Sequence, residues 1–142
     1  MKHTIPTSRG SIQTGVTLVE LLIVMTVMGI LLAIAVPAYS SYVLRVNRTE
    51  AINVLLQAAM CQERIRASQG SYDTSLCDIN TSNLHYRLSY QPINSRGLTY
   101  VVTATPVGSQ SEERCGSLLL SHDGSKRTSA AGVSVTKCWN GR

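Results

Sequence analysis

Four cysteines, one carboxylate set inside an apolar run, three histidines and a group of C-terminal cations are the residues of this 142-residue chain whose types could do chemistry. Cys61, Cys77, Cys115 and Cys138 are separated by 15, 37 and 22 residues. No C-x-x-C pair occurs among them, so the spacing of a zinc site is missing and no metal is expected. All four follow an apolar N-terminal segment that would carry them across a membrane into an oxidising compartment, where disulfides are the expected product. The sequence leaves the pairing open among three connectivities. His3, His85 and His122 are accompanied by scattered serines, without a G-x-S-x-G or comparable nucleophile setting. His85 and His122 fall at strand or turn positions, where solvated side chains are expected. No catalytic residue, cofactor or enzymatic activity follows.

The cations Arg114, Lys126, Arg127, Lys137 and Arg142 crowd the C-terminal portion, interrupted by Glu112, Glu113 and Asp123. A phosphate-contacting face could form there, with Lys126, Arg127 and Lys137 as candidate DNA contacts. Trp139 is the one aromatic residue among them, and its place beside Cys138 suits packing. Lys2 and Arg9 lie ahead of the apolar run, and losing them with a cleaved leader would take the net charge from +5 to +3. So small a surplus serves solubility, and DNA is an allowed partner but not the favoured one.

Glu20 is the remaining charge to explain. Between it and Arg45 there is no charged side chain, an uncharged run of 24 residues from Leu21 to Leu44, long enough to cross a membrane as a helix. Tyr39 and Tyr42 near its end suit an interface, and Arg45 and Arg48 close it. A carboxylate deep in a bilayer costs about 2.5 to 3.5 kcal/mol. Glu20 therefore either lies at headgroup level, helped by the positive end of the helix dipole, or neutralises a free amine created on Val16 by cleavage. Gly29 and Pro37 lie within the run as expected helix breaks, Pro37 because it lacks a backbone donor. Met1 to Thr14 holds Lys2 and Arg9 but no apolar core, so it is not an ordinary secretory signal.

Beyond the run, Ile52, Leu55, Leu56, Ala59 and Met60 recur at helical spacing, with Glu63 and Arg64 off the stripe. This amphipathic helix should end near Ser68, ahead of the stop signal Gln69-Gly70-Ser71. Four strand-like segments follow, over 85–91, 98–106, 116–121 and 125–128, the last two joined by the hairpin signal Asp123-Gly124. A helix covering one face of an antiparallel sheet is an α+β head.

Gly15 followed by Val-Thr-Leu-Val-Glu20, then Gly29-Ile-Leu-Leu-Ala-Ile-Ala-Val-Pro37 and Ala-Tyr39, strongly resembles the signature of type IV prepilins and pseudopilins. In that family a prepilin peptidase cuts after the glycine on the cytoplasmic side and methylates the new N-terminus, and the glutamate four residues past the cut assists subunit docking. The resemblance thus implies cleavage at Gly15, methylation of Val16 and an assembly role for Glu20. It divides the chain into a leader over 1–15, a transmembrane and assembly segment over 16–44 and a globular head over 45–142. Thr99-Tyr-Val-Val-Thr-Ala-Thr-Pro106, Cys115-Gly-Ser-Leu-Leu-Leu, Asp123-Gly124 and Cys138-Trp139 also look like the head of PilE-type minor pilins. In those heads one disulfide clips a C-terminal loop, which implies Cys115 with Cys138 and leaves Cys61 with Cys77. The implied fold is the type IV pilin fold, disulfide-clipped. The implied function is a minor subunit of a type IV pilus, with roles in assembly, twitching motility, adhesion or DNA uptake. The alternatives are a DNA-binding competence pilin and a pseudopilin of type II secretion. Implied partners are other pilins, the peptidase, the inner-membrane assembly machinery and, before assembly, membrane lipid. The head would stand in the periplasm and then in the extracellular filament.

Overall fold

The computed structural model describes residues 15–77, 79, 85–92 and 96–140. Residues 1–14, with Lys2, His3 and Arg9, and the cation Arg142 lie outside the described residues. Two compact units make up the chain, one reaching to Pro37 and the other Ala38–Arg142.

The first element, α1 (Leu18–Gln69), has 52 residues. Thr17 starts it: its Oγ1 accepts the Glu20 backbone N–H at 3.2 Å, satisfying one orphan donor of the first turn. Within the apolar half, the Thr26 hydroxyl donates to the Leu22 carbonyl at 2.8 Å, so the helix itself satisfies this polar side chain. The expected breaks at Gly29 and Pro37 do not occur, because α1 is helical through both residues. Pro37 removes the single donor that would serve the Ala33 carbonyl, and the loss of one rung does not end a helix whose neighbouring rungs are intact. Gly70 ends α1 at φ 78°, donating its N–H to the Arg66 carbonyl at 2.8 Å, as a left-handed C-cap does.

The sheet comprises β1 (Tyr86–Pro92), β2 (Tyr100–Pro106), β3 (Leu118–Ser121) and β4 (Lys126–Thr128), antiparallel in that order. Its register aligns Leu88, Ala104 and Leu118 in one row and Tyr90, Val102 and Leu120 in the next. These residues alternate with the exposed Arg87, Ser89 and Gln91, the period-2 pattern of a sheet covered on one face. The β3–β4 turn is closed by Asp123, whose Oδ1 accepts the Ser125 N–H at 2.9 Å, and by Gly124 at φ 78°. The hydrogen bonds from Ser125 hold the Asp123 carboxyl below its usual range.

Ala51, Ile52, Leu55 and Ala58 of α1 are buried in one core with Tyr86, Tyr100, Val102, Leu118 and Leu120. Burial pushes the Tyr100 hydroxyl up to about 12, with the negative side chain of Glu63 adding to the effect. The stripe read from the sequence is corrected here. Leu56 and Met60, expected within it, are 40% and 57% exposed, whereas Gln62 is fully buried. The helix carries two adjoining apolar faces, and the sheet covers the one centred on Leu55. His122 is a second correction. It is half-buried, its ring 6.2 Å from that of Tyr72 and 6.4 Å from that of Tyr100, because the β3–β4 turn lies against the segment that follows α1.

Disulfides join Cys61 to Cys77 and Cys115 to Cys138. The first ties the last turns of α1 to the segment after it. The second ties the turn before β3 to α2 (Val135–Trp139), a short helix capped by Ser134. Trp139 is buried, and its Nε1 donates to the Arg127 carbonyl at 3.2 Å, docking α2 on β4.

Candidate functional site

The N-terminal half of α1 presents large apolar side chains from Leu18 to Val36 that, like Val16 just before it, are all exposed in the isolated chain. It is long and apolar enough to cross a membrane, and nothing in its most apolar stretch is buried. Glu20 is the one charge in the first turn, at the end of the helix where the dipole favours an anion. Gly15 and Val16 precede it in exposed, non-helical backbone.

In the head, a polar cluster joins α1 to the loop between β2 and β3. A 3-10 turn over Gly108–Glu112 places Gln110 fully inside. Gln110 Oε1 accepts from Asn47 Nδ2 at 3.0 Å, while its Nε2 donates to the Leu44 carbonyl at 2.9 Å and to Tyr86 Oη at 3.0 Å. Both ends of this buried amide are satisfied, so the cluster fixes the helix against the sheet. Next to it Arg48 and Glu113 form a buried ion pair, with side chains 3% and 6% exposed. Arg48 Nη1 also lies 3.2 Å from Cys115 Sγ, and Glu113 Oε2 accepts the Cys115 N–H at 2.9 Å. Arg48 was expected to close the membrane span from the outside, and Glu113 to interrupt a surface cluster. Instead they meet in the interior across 65 positions of sequence. A signal for half of this was present, since Arg48 stands on the i, i+3, i+4 stripe of Ala51, Ile52 and Leu55, where a charge demands a partner. No local feature identifies the partner.

The candidate DNA contacts divide into two places. Lys126 and Arg127 are exposed on β4. Lys126 Nζ sits 5.3 Å from the centroid of the Trp139 ring, and Arg127 Nη2 lies 3.5 Å from Ser121 Oγ. Lys137 is on α2, and its side chain lines a cavity of about 430 Å³ that Lys126 and Arg127 do not line. The same cavity draws on Leu44 and Arg45 of α1, on Glu112 and Arg114, and on the Cys115–Cys138 disulfide.

Residues 37–119, more than half of the chain, match the sequence family described as type IV minor pilin ComP, DNA uptake sequence receptor. Residues 11–36 match the prokaryotic N-terminal methylation motif. The chain is similar to fimbrial protein EcpC of Eikenella corrodens, 54% identical over 43 residues, which are 30% of this chain and 28% of that protein. It is also similar to type IV major fimbrial protein FimA of Dichelobacter nodosus, 46% identical over 44 residues, 31% of this chain and 28% of that protein. The matched segment thus spans less than a third of either relative's length. Among solved structures, a type IV pilin from Shewanella oneidensis superposes with a TM-score of 0.52 at 27% identity, covering 64% of this chain and 98% of that one.

Proposed function

The chain belongs to the type IV minor pilin family of ComP, and from that premise we propose that it is a pilus subunit, cut after Gly15, held in the inner membrane by residues 16–44 and then built into the filament with its head over 45–142 displayed. The observation that carries this reading is the exposed apolar half of α1 with one carboxylate, Glu20, in its first turn. Such a surface is stable only in lipid or against other helices like it. Leu56 and Met60, exposed on the face beside the one the sheet covers, offer neighbouring subunits further apolar area. Glu20 supplies the counter-charge for the amine of Val16, in its own chain or in a neighbour.

The test is processing followed by incorporation. Incubation with a prepilin peptidase is expected to remove residues 1–15 and leave an N-methylated Val16 by intact-mass measurement. Glu20→Ala should insert and be processed normally, yet be recovered from sheared filaments at a small fraction of the wild-type amount. A mature protein that keeps its leader sinks the reading. Equal recovery of Glu20→Ala would leave the carboxylate as a headgroup-level charge favoured by the helix dipole.

A second reading, that the head receives DNA, is favoured by one observation, the description of the family that residues 37–119 match. Lys126, Arg127 and Lys137 lie beyond that matched segment, so their role rests on their charge and exposure. If they contact phosphates, changing all three to Gln in the Ala38–Arg142 fragment should make the log-log salt slope of duplex binding shallower by roughly 2 to 3. An unchanged slope would remove these three residues from the DNA reading and leave filament assembly as the function of this surface.

A further inference from the structure

The cavity lined by Lys137 combines charge and position in a way that neither reading uses. Its cations are Arg45 of α1, Arg114 ahead of β3 and Lys137 of α2, all exposed. None of the three is in an ion pair among the described residues. Arg48 also reaches the cavity, but its charge is matched by Glu113, which leaves Glu112 as the one carboxylate facing three cations. The surplus suits an anion, and the guanidinium forks of Arg45 and Arg114 suit the oxygens of a phosphate. The remaining lining is Ser41 and an apolar wall formed by Leu44, Val133 and the Cys115–Cys138 disulfide.

Position narrows the anion further. Leu44 is the last residue of the uncharged run and Arg45 the first charge after it, and both line the cavity. At 1.5 Å per helical residue, this is the level at which α1 passes from hydrocarbon to headgroups. The geometry points to a binding site for one anionic phospholipid, its phosphodiester held by Arg45, Arg114 and Lys137 and its glycerol resting on Leu44 and Val133. The site takes phosphatidylglycerol in preference to a zwitterionic lipid, because a second, cationic headgroup charge would meet the same three cations. A volume of about 430 Å³ accommodates a single headgroup. Duplex DNA is the weaker candidate, since a concave site of this size admits one phosphate and Lys126 and Arg127 are not in its lining. The inference rests on the membrane-anchored reading above.

The experiment uses the full chain. Flotation with phosphatidylcholine vesicles comes first, and a chain that does not float overturns the membrane reading and this site with it. The floating chain is then transferred to detergent micelles and titrated with phosphatidylglycerol or phosphatidylcholine, with bound lipids counted by native mass spectrometry. One phosphatidylglycerol per chain should bind roughly tenfold more tightly than phosphatidylcholine, as expected when interfacial cations each contribute a modest attraction. Arg114→Gln with Lys137→Gln should abolish the preference, Arg114→Lys with Lys137→Arg should keep it, and Lys126→Gln with Arg127→Gln should leave it unchanged. Should the first pair of changes disturb either disulfide on non-reducing peptide mapping, Arg45→Gln carries the same expectation of a reduced preference. Equal affinity for the two lipids, or a preference that survives loss of the cations, overturns the site while leaving the membrane reading intact. Two competitors decide the source of the phosphodiester. Glycerophosphoglycerol acting at the same concentration as the lipid would reassign the site to a soluble ligand. Duplex DNA that displaces the lipid, and whose own binding falls with Arg114→Gln and Lys137→Gln, would reassign it to the nucleic-acid backbone.

Discussion

Arg48→Ala is expected to destabilise the head by about 3 to 5 kcal/mol, because it leaves the Glu113 carboxylate buried without its counter-charge. Against a typical domain stability of about 5 to 15 kcal/mol this is a large share. Urea unfolding of the Ala38–Arg142 fragment measures it, a boundary that keeps the bond from Gln110 to the Leu44 carbonyl and both partners of the ion pair. Replacing both charges, Arg48→Met with Glu113→Leu, should recover much of the loss, since desolvating an ion pair offsets most of its attraction. Recovery should stay incomplete because the Cys115 N–H loses its acceptor, Glu113 Oε2. An Arg48→Ala fragment within about 1 kcal/mol of wild type would mean that water reaches the pair in solution, contrary to its burial.

Removing the second disulfide, Cys115→Ser with Cys138→Ser, is expected to cost about 3 kcal/mol and to free α2. The magnitude follows from closing a loop with a sequence separation of 23 in the chain-entropy account. The release of α2 follows from its five residues, too few to hold a helix without tertiary contacts. Besides the disulfide, α2 is held by buried Trp139, through its Nε1 bond to the Arg127 carbonyl and the Lys126 ammonium over its ring. Trp139 is the one tryptophan of the chain, so its emission reports the event directly. A red shift in the Cys115 and Cys138 variant, and none in Cys61→Ser with Cys77→Ser, is the expected pattern. The second pair, at a sequence separation of 16, should cost a similar free energy without moving Trp139. Native-like emission after loss of the Cys115–Cys138 bond would show that Trp139 and its contacts hold α2 by themselves.

Local chemistry in the chain was sufficient for the uncharged run from Leu21 to Leu44, the stop at Gly70, the four strands and the Asp123-Gly124 turn. Each depends on neighbours a few positions away: side-chain period, a left-handed glycine, an Asx turn. The Gly15 to Glu20 motif was legible for the same reason, being contiguous. Tertiary structure alone decided which apolar face of α1 is covered, burying Leu55 and Gln62 while leaving Leu56 and Met60 exposed. It also brought Arg48 to Glu113, Gln110 to Leu44 and Tyr86, and Arg45, Arg114 and Lys137 around one cavity. These partners stand tens of residues apart, and a side chain's identity states that it needs a hydrogen bond or a counter-charge but not where the partner will come from. That choice is made when helix and sheet close on one another, because only then is water excluded and an unmatched polar group made costly.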